Sequence, residues 1–108
     1  MILTRNFNGL YTTFCIRDEK SEVYDEKLLI HCWTSNGRVG FQHRCNVYLN
    51  NHFNRYGDKF FKVQYYNRTW EKFDYKSLLE HVLRTLLKDK AITKEEYAEY
   101  LLLVETFS

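Results

Sequence analysis

The sequence predicts an α+β domain in which an antiparallel sheet of about five strands is followed by a helical hairpin. Two Asn-Gly dipeptides lie between stretches of alternating apolar and polar residues, a further alternating stretch follows, and the last third changes to helical spacing. The 108 residues include no proline, four glycines and 18% aromatic residues, a composition typical of one ordered core. We therefore predict a single compact domain over 1–108, with the sheet in 1–72 and the helical hairpin in 74–107.

The first hairpin is predicted around Asn8-Gly9, because a two-residue type I′ turn needs positive φ at both central residues and Asn-Gly tolerates it. Side chains along a strand alternate between two faces, so pairing across this turn defines a core face. That predicted core face consists of Leu3, Phe7, Leu10, Phe14 and Ile16. The charged residues 17–27 that follow are predicted to form an exposed connection or a short helical turn.

The second hairpin, residues 28–49, is predicted around Asn36-Gly37, and the rest of the sheet is organised about it. The predicted register pairs Leu28 with Cys45, Ile30 with His43, Cys32 with Phe41 and Thr34 with Val39. Trp33 is predicted to face Gly40, where the absent side chain leaves room for the indole. The opposite face contains polar, basic and aromatic residues, and we expect it to meet solvent or a partner. Its rings and cations are His31, Trp33, Arg38, Arg44 and Tyr48.

A polar loop, residues 50–58, is predicted between the second hairpin and a fifth strand within 59–70. The loop contains His52, Arg55 and Tyr56. Aromatic residues beside arginine on a loop are typical of a recognition surface, because a rigid ring contributes contact area at low entropy cost. Asn, Asp and Gly are also ordinary turn formers, so a purely structural loop remains the alternative.

From Asp74 onwards the apolar spacing is helical, and Asp74 is predicted to cap the first helix. The apolar stripe of that helix consists of Tyr75, Leu78, Leu79, Val82, Leu83 and Leu86. Thr93 followed by Glu96 is a capping box, which predicts a last helix from Lys94 to about Thr106. That helix has more apolar surface than a monomer needs. Either the sheet and the first helix bury it, or it contacts another chain, as in a homodimer.

No motif in the sequence names a reaction: there is no nucleophile elbow, no phosphate-binding glycine loop and no HExxH. The predicted register places Cys32, His43 and Cys45 on one strand face. Structural zinc sites, however, usually draw pairs of ligands from tight turns, so we predict no metal and no cofactor. We predict that the protein is not an enzyme. One enzymatic alternative stays open, a ribonuclease-type toxin that uses Arg, His and Tyr without a metal.

Positive charge is concentrated in the middle of the chain. The net charge is +2, but residues 28–72 are +5 while 17–27 and 73–108 are each −2. A positive middle segment attracts an anionic surface. Three cysteines, no N-terminal signal pattern and no apolar stretch of membrane-spanning length predict a cytoplasmic protein with reduced thiols.

The chain as a whole resembles the small accessory proteins of phages and other mobile elements, which are rich in Asn, Lys, Tyr and Phe and free of proline. That class includes anti-CRISPR and other counter-defence inhibitors. The resemblance implies a binder that blocks a host nucleic-acid enzyme, such as a CRISPR effector, in the cytoplasm of the host cell. The predicted partner contacts are Trp33, Arg38, Arg44, Tyr48, His52, Arg55 and Tyr56. The alternative is a module that binds RNA or single-stranded DNA through its basic aromatic sheet face.

Overall fold

The computed structural model contains a five-stranded antiparallel sheet followed by two helices, which confirms the predicted α+β class. It describes residues 1–8, 11–20, 25–38, 40–52, 59–67 and 74–106. The strands are β1 (Ile2–Asn8), β2 (Tyr11–Arg17), β3 (Asp25–Asn36), β4 (Phe41–His52) and β5 (Lys59–Asn67), and the helices are α1 (Tyr75–Lys88) and α2 (Lys94–Thr106). The strands lie in the sheet in chain order, and each is antiparallel to the next.

The core lies between one face of the sheet and the two helices. Side chains from the sheet and from both helices form one buried cluster. Its members include Phe14, Ile16, Leu28, Ile30, Val47 and Val63 from the sheet, Leu78, Leu79, Val82, Leu83 and Leu86 from α1, and Tyr100 and Val104 from α2. The face that period-two alternation predicted to be apolar is therefore the face that the helices cover.

The predicted register of the second hairpin is wrong by four residues. The observed pairs are Leu28 with Leu49, Ile30 with Val47, Cys32 with Cys45, Thr34 with His43 and Trp33 with Arg44. Asn36 belongs to β3 and faces Phe41, so residues 37–40 make the connection instead of a two-residue turn. The N–H of Gly37 donates to the carbonyl of Gly40 at 2.7 Å across it. An even shift keeps every side chain on its predicted face, because the side-chain period is two.

The β1–β2 register also differs from the prediction, by two residues. Phe7 lies opposite Thr12, whereas the Asn8-Gly9 turn predicts that it lies opposite Leu10. Leu10 itself and Gly9 lie outside the described residues. Phe7 is 62% exposed although it was predicted to be in the core, because β1 is an edge strand with a neighbour on one side only. The charged connection is shorter than predicted, since β3 already begins at Asp25.

Both helices begin where their caps predict. Asp74 accepts hydrogen bonds from the backbone N–H and the hydroxyl of Ser77, at 3.3 and 2.6 Å. The backbone N–H of Thr93 donates to Glu96 Oε1 at 2.9 Å, and the N–H of Glu96 donates to Thr93 Oγ1 at 3.1 Å, which completes the capping box. On α2 only part of the apolar surface is buried, and Leu102 is 65% exposed. The homodimer through this helix stays a prediction.

The two helices of the described ranges are 14 and 13 residues long. Neither is long and apolar enough to cross a membrane.

Candidate functional site

The candidate site is the face of the sheet opposite the helices, which we call the outer face. Because side chains alternate along each strand, two adjacent rows of paired residues lie on this face. One row is Tyr11, Trp33, Arg44 and Gln64, and the next is Thr13, His31, Asn46 and Lys62. Each row crosses the sheet from β2 to β5. Within these two rows the rings lie on β2 and β3 and the cations lie on β4 and β5.

Three aromatic rings form a continuous group at the β2–β3 side of the outer face. The ring of His31 stacks on Tyr11, with 5.3 Å between centroids and 22° between planes. It also lies 6.4 Å from the ring of Trp33, at a tilt of 51°. His31 Nδ1 shares a hydrogen bond of 2.9 Å with Thr13 Oγ1, which holds the imidazole in place. Tyr11 is 45% exposed, so this ring group is accessible from solvent.

A cleft of about 290 Å³ lies beside these rings, over β3, β4 and β5. An indole, two cations and two amides line it, from Trp33, Arg44, Lys62, Asn46 and Gln64, together with Cys45 and Val63. Arg44 and Lys62 are both exposed. Because these residue types come from three adjacent strands, the observed register, and not the sequence spacing alone, brings them together.

The outer face is cationic. Arg17, Lys27, Arg44 and Lys62 lie on it, and none of the outer-face side chains that the structure describes is a carboxylate. Lys27 contacts Asp18, which follows β2, at 3.7 Å, and both side chains are about half exposed. An exposed pair of this kind is screened by water and contributes little stability. Arg44 and Lys62 line the cleft, whereas this pair lies near the end of β2 and the start of β3.

The structure places three of the seven predicted contacts on the outer face, and two of these, Trp33 and Arg44, line the cleft. Trp33, Arg44 and Tyr48 lie on the outer face, as alternation predicts. Arg38 was predicted on the same face, but it belongs to the connection between β3 and β4, where it is exposed. The remaining three are His52, Arg55 and Tyr56. His52 ends β4 opposite Asp25, but its side chain is not among those that the structure describes. Arg55 and Tyr56 lie outside the described residues.

Several members of the outer face were not among the seven predicted contacts, and two of these flank Trp33 and Arg44. Tyr11 lies opposite Trp33, and Gln64 lies opposite Arg44. Alternation along β2 and β5 is the signal that assigns them to this face. Their positions beside Trp33 and Arg44 needed the pairing of β2 with β3 and of β4 with β5, which no local turn motif specifies.

Two of the three thiols, Cys32 and Cys45, and the buried histidine lie on the core face. Cys32 and Cys45 face each other as free thiols with 2.7 Å between their Sγ atoms. The hydrogen bond that Cys32 shares with Cys45, together with burial, raises the pKa of the Cys32 thiol, so this thiol stays protonated and is a poor nucleophile. Burial lowers the pKa of His43, which shares a 2.9 Å hydrogen bond with Thr34 Oγ1. Across the described ranges, no three His, Cys, Asp or Glu side chains are placed to hold a metal ion.

Comparisons of the chain with protein-family models, with curated proteins and with solved structures found no match.

Proposed function

We propose that this chain is a non-enzymatic binding protein that blocks a host nucleic-acid-handling enzyme, and that the outer face of the sheet makes the contact. The observation that supports this most is the composition of the outer face. A face that only meets solvent needs no stacked ring group, yet Tyr11, His31 and Trp33 lie together on it beside Arg44. Aromatic rings with arginine are the residue types that dominate binding energy at interfaces.

The rigidity of the outer face supports a binding role. His31 is held by Thr13 and stacked on Tyr11, and both lie on a sheet whose other face is packed against two helices. Side chains that are already ordered lose little conformational entropy when a partner binds, so more of the contact energy appears as affinity. Cys32 and His43, by contrast, are buried in the core and are not accessible to a partner on the outer face.

The charge of the outer face limits which part of an enzyme it contacts. The nucleic-acid groove of such an enzyme is itself positive, and like charges brought together across an interface are unfavourable. Arg44 and Lys62 therefore favour an acidic part of the enzyme or the nucleic acid that the enzyme holds. A CRISPR effector loaded with its guide RNA is the partner that the resemblance implies.

A pull-down from host lysate tests this proposal, with the tagged chain as bait and mass spectrometry as the readout. We expect near-stoichiometric recovery of one nucleic-acid-handling enzyme, and inhibition of the purified enzyme when equimolar chain is added. Trp33→Ala and Arg44→Ala are expected to abolish both. The matched controls are Phe7→Ala, which removes an exposed ring on the helix side of the sheet, and Arg84→Ala, which removes an exposed cation on α1.

Circular dichroism and thermal unfolding establish that each variant is folded. Folded Trp33→Ala and Arg44→Ala variants that still recover and inhibit the enzyme would remove the outer face from the proposal. Failure of the wild-type chain to recover or inhibit any nucleic-acid-handling enzyme would overturn the proposal itself.

A further inference from the structure

We infer that the cleft between Trp33, Arg44 and Lys62 is a binding site for one nucleotide of a single-stranded nucleic acid. The base stacks on the ring side of the cleft, and the phosphate lies between the guanidinium and the ammonium. The inference rests on the proposed function to the extent that the outer face is the contact surface. It adds the chemical class of the partner at this position.

The two cations are spaced to share one phosphate. Arg44 lies directly opposite Gln64, and Lys62 is two residues from Gln64 on the same strand, so Arg44 and Lys62 are diagonal neighbours across β4 and β5. Diagonal neighbours on one face of an antiparallel pair are roughly 7–8 Å apart, which long side chains bridge. A phosphate between them accepts hydrogen bonds from the planar guanidinium and from the ammonium at about 2.7–2.9 Å.

The aromatic rings that would stack on the base lie next to the cations that would bind the phosphate. Trp33 lies directly opposite Arg44, and Tyr11 lies opposite Trp33, so the cross-strand row runs from two rings to a cation. A base held against the indole therefore has its own phosphate at the next strand, since neighbouring strands are about 4.8 Å apart. Asn46 and Gln64 line the same cleft and offer both donors and acceptors to a base edge.

The size of the cleft fits a single small ligand. Its volume of about 290 Å³ is just below the smallest small-molecule pockets, which span roughly 300–1,000 Å³. That is room for one nucleotide unit, with the rest of the strand continuing along the rings of His31 and Tyr11.

The ring group favours nucleic acid over an acidic peptide. A peptide rich in Asp and Glu uses Arg44 and Lys62 but offers no flat ring to Trp33 and Tyr11. A single strand offers both a phosphate and a base with an accessible face, and this combination of stacking and positive charge is how single strands are bound without sequence preference. In a duplex the base faces are already stacked, which leaves the rings of the outer face unused.

Fluorescence anisotropy with fluorescein-labelled U12 and dT12 tests the site. We expect binding at low salt that weakens steeply as salt is added. Arg44→Ala and Lys62→Ala are each expected to lower the slope of log affinity against log salt by about one. Trp33→Ala is expected to lower affinity about 5- to 150-fold, and Trp33→Phe to restore most of it, because stacking needs a ring. Lys76→Ala and Arg84→Ala on α1 remove the same charge away from the cleft and are the matched controls.

Three results would overturn the site. They are no salt-sensitive binding by the wild-type chain, equal losses in the α1 controls and the cleft variants, and displacement of the labelled strand by a hepta-glutamate peptide as effectively as by unlabelled U12. The outcomes also separate this site from the proposed function. Recovery of an enzyme that depends on Arg44 without any oligonucleotide binding overturns the site alone. Oligonucleotide binding that depends on the cleft without recovery of any enzyme overturns the proposed function alone.

Discussion

Acid is expected to destabilise this fold through His43, and the variant His43→Gln isolates the effect. His43 is 1% exposed, stacks on Tyr65 with 5.9 Å between centroids, and hydrogen-bonds Thr34. Burial lowers the pKa of its imidazole below the ordinary value, so the native ring stays neutral where an exposed histidine becomes charged. Glutamine keeps an amide that can still bond Thr34 but does not titrate in this range.

The sign and size of the effect follow from proton linkage. An unfolded histidine titrates at about pH 6.5, so below that pH the unfolded chain binds more protons than the native one. The stability that His43 contributes is therefore fully present above the unfolded pKa and is lost as the pH falls towards the lowered native pKa. The loss is at most about 1.4 kcal/mol per pH unit, which limits it to roughly 2 kcal/mol at about pH 5.

Urea unfolding at a series of pH values between about 7.5 and 5 measures this loss. The informative quantity is the difference in unfolding free energy between the wild-type chain and His43→Gln, because the titration of the carboxylates is common to both and cancels. We expect the unfolding free energy of the wild-type chain minus that of His43→Gln to decrease as the pH falls. A difference that stays constant over this range, or one that grows in acid, would falsify the claim that the buried imidazole of His43 stays neutral.

Three further predictions concern packing, capping and thiol chemistry. Leu83→Ala should lower the unfolding free energy by about 2–5 kcal/mol in urea, because the side chain is 1% exposed and leaves a cavity in the core; a loss under about 1 kcal/mol contradicts this packing. Thr93→Ala should cost about 1 kcal/mol by removing the cap of α2, and Thr93→Ser should not; equal losses in both variants would rule out the cap. Burial raises the pKa of Cys15 to about 11 and the contact with Cys45 raises that of Cys32, so native thiols should react slowly with a disulfide reagent near neutral pH and all three should react in urea; rapid labelling of the native chain argues against these environments.

Periodicity was sufficient to predict the elements and their faces. The helical stripe of α1 and the two caps are local signals, and both helices begin at the predicted residues. The strand faces also matched, although both hairpin registers were wrong. A shift of two or four residues changes which residues face each other across the strands. It leaves each side chain on the same face of the sheet, so the predicted faces are correct although the predicted pairs are not.

The register failed because the sequence does not determine the length of the connection. Asn36-Gly37 favours a two-residue turn, but continuing β3 to Asn36 lets Cys32 face Cys45 and Leu28 face Leu49, which buries apolar pairs that the tighter turn leaves mismatched. The candidate cleft depends on this register, because only the observed pairing places Trp33 beside Arg44. Sequence reasoning therefore identified the correct face but not the cleft within it.

The strands pair in chain order, and the helices that cover them come last. Each hairpin can close through short loops soon after its residues leave the ribosome, which favours rapid local assembly. The apolar side of the sheet, however, has no cover until residues from Tyr75 onwards are synthesised. During that interval Phe14, Ile30 and Val47 are exposed on a sheet with two open edges, the combination that promotes aggregation. A nascent chain arrested before α1 is thus expected to need a chaperone, whereas one arrested after α2 has emerged is expected to stay in solution without one.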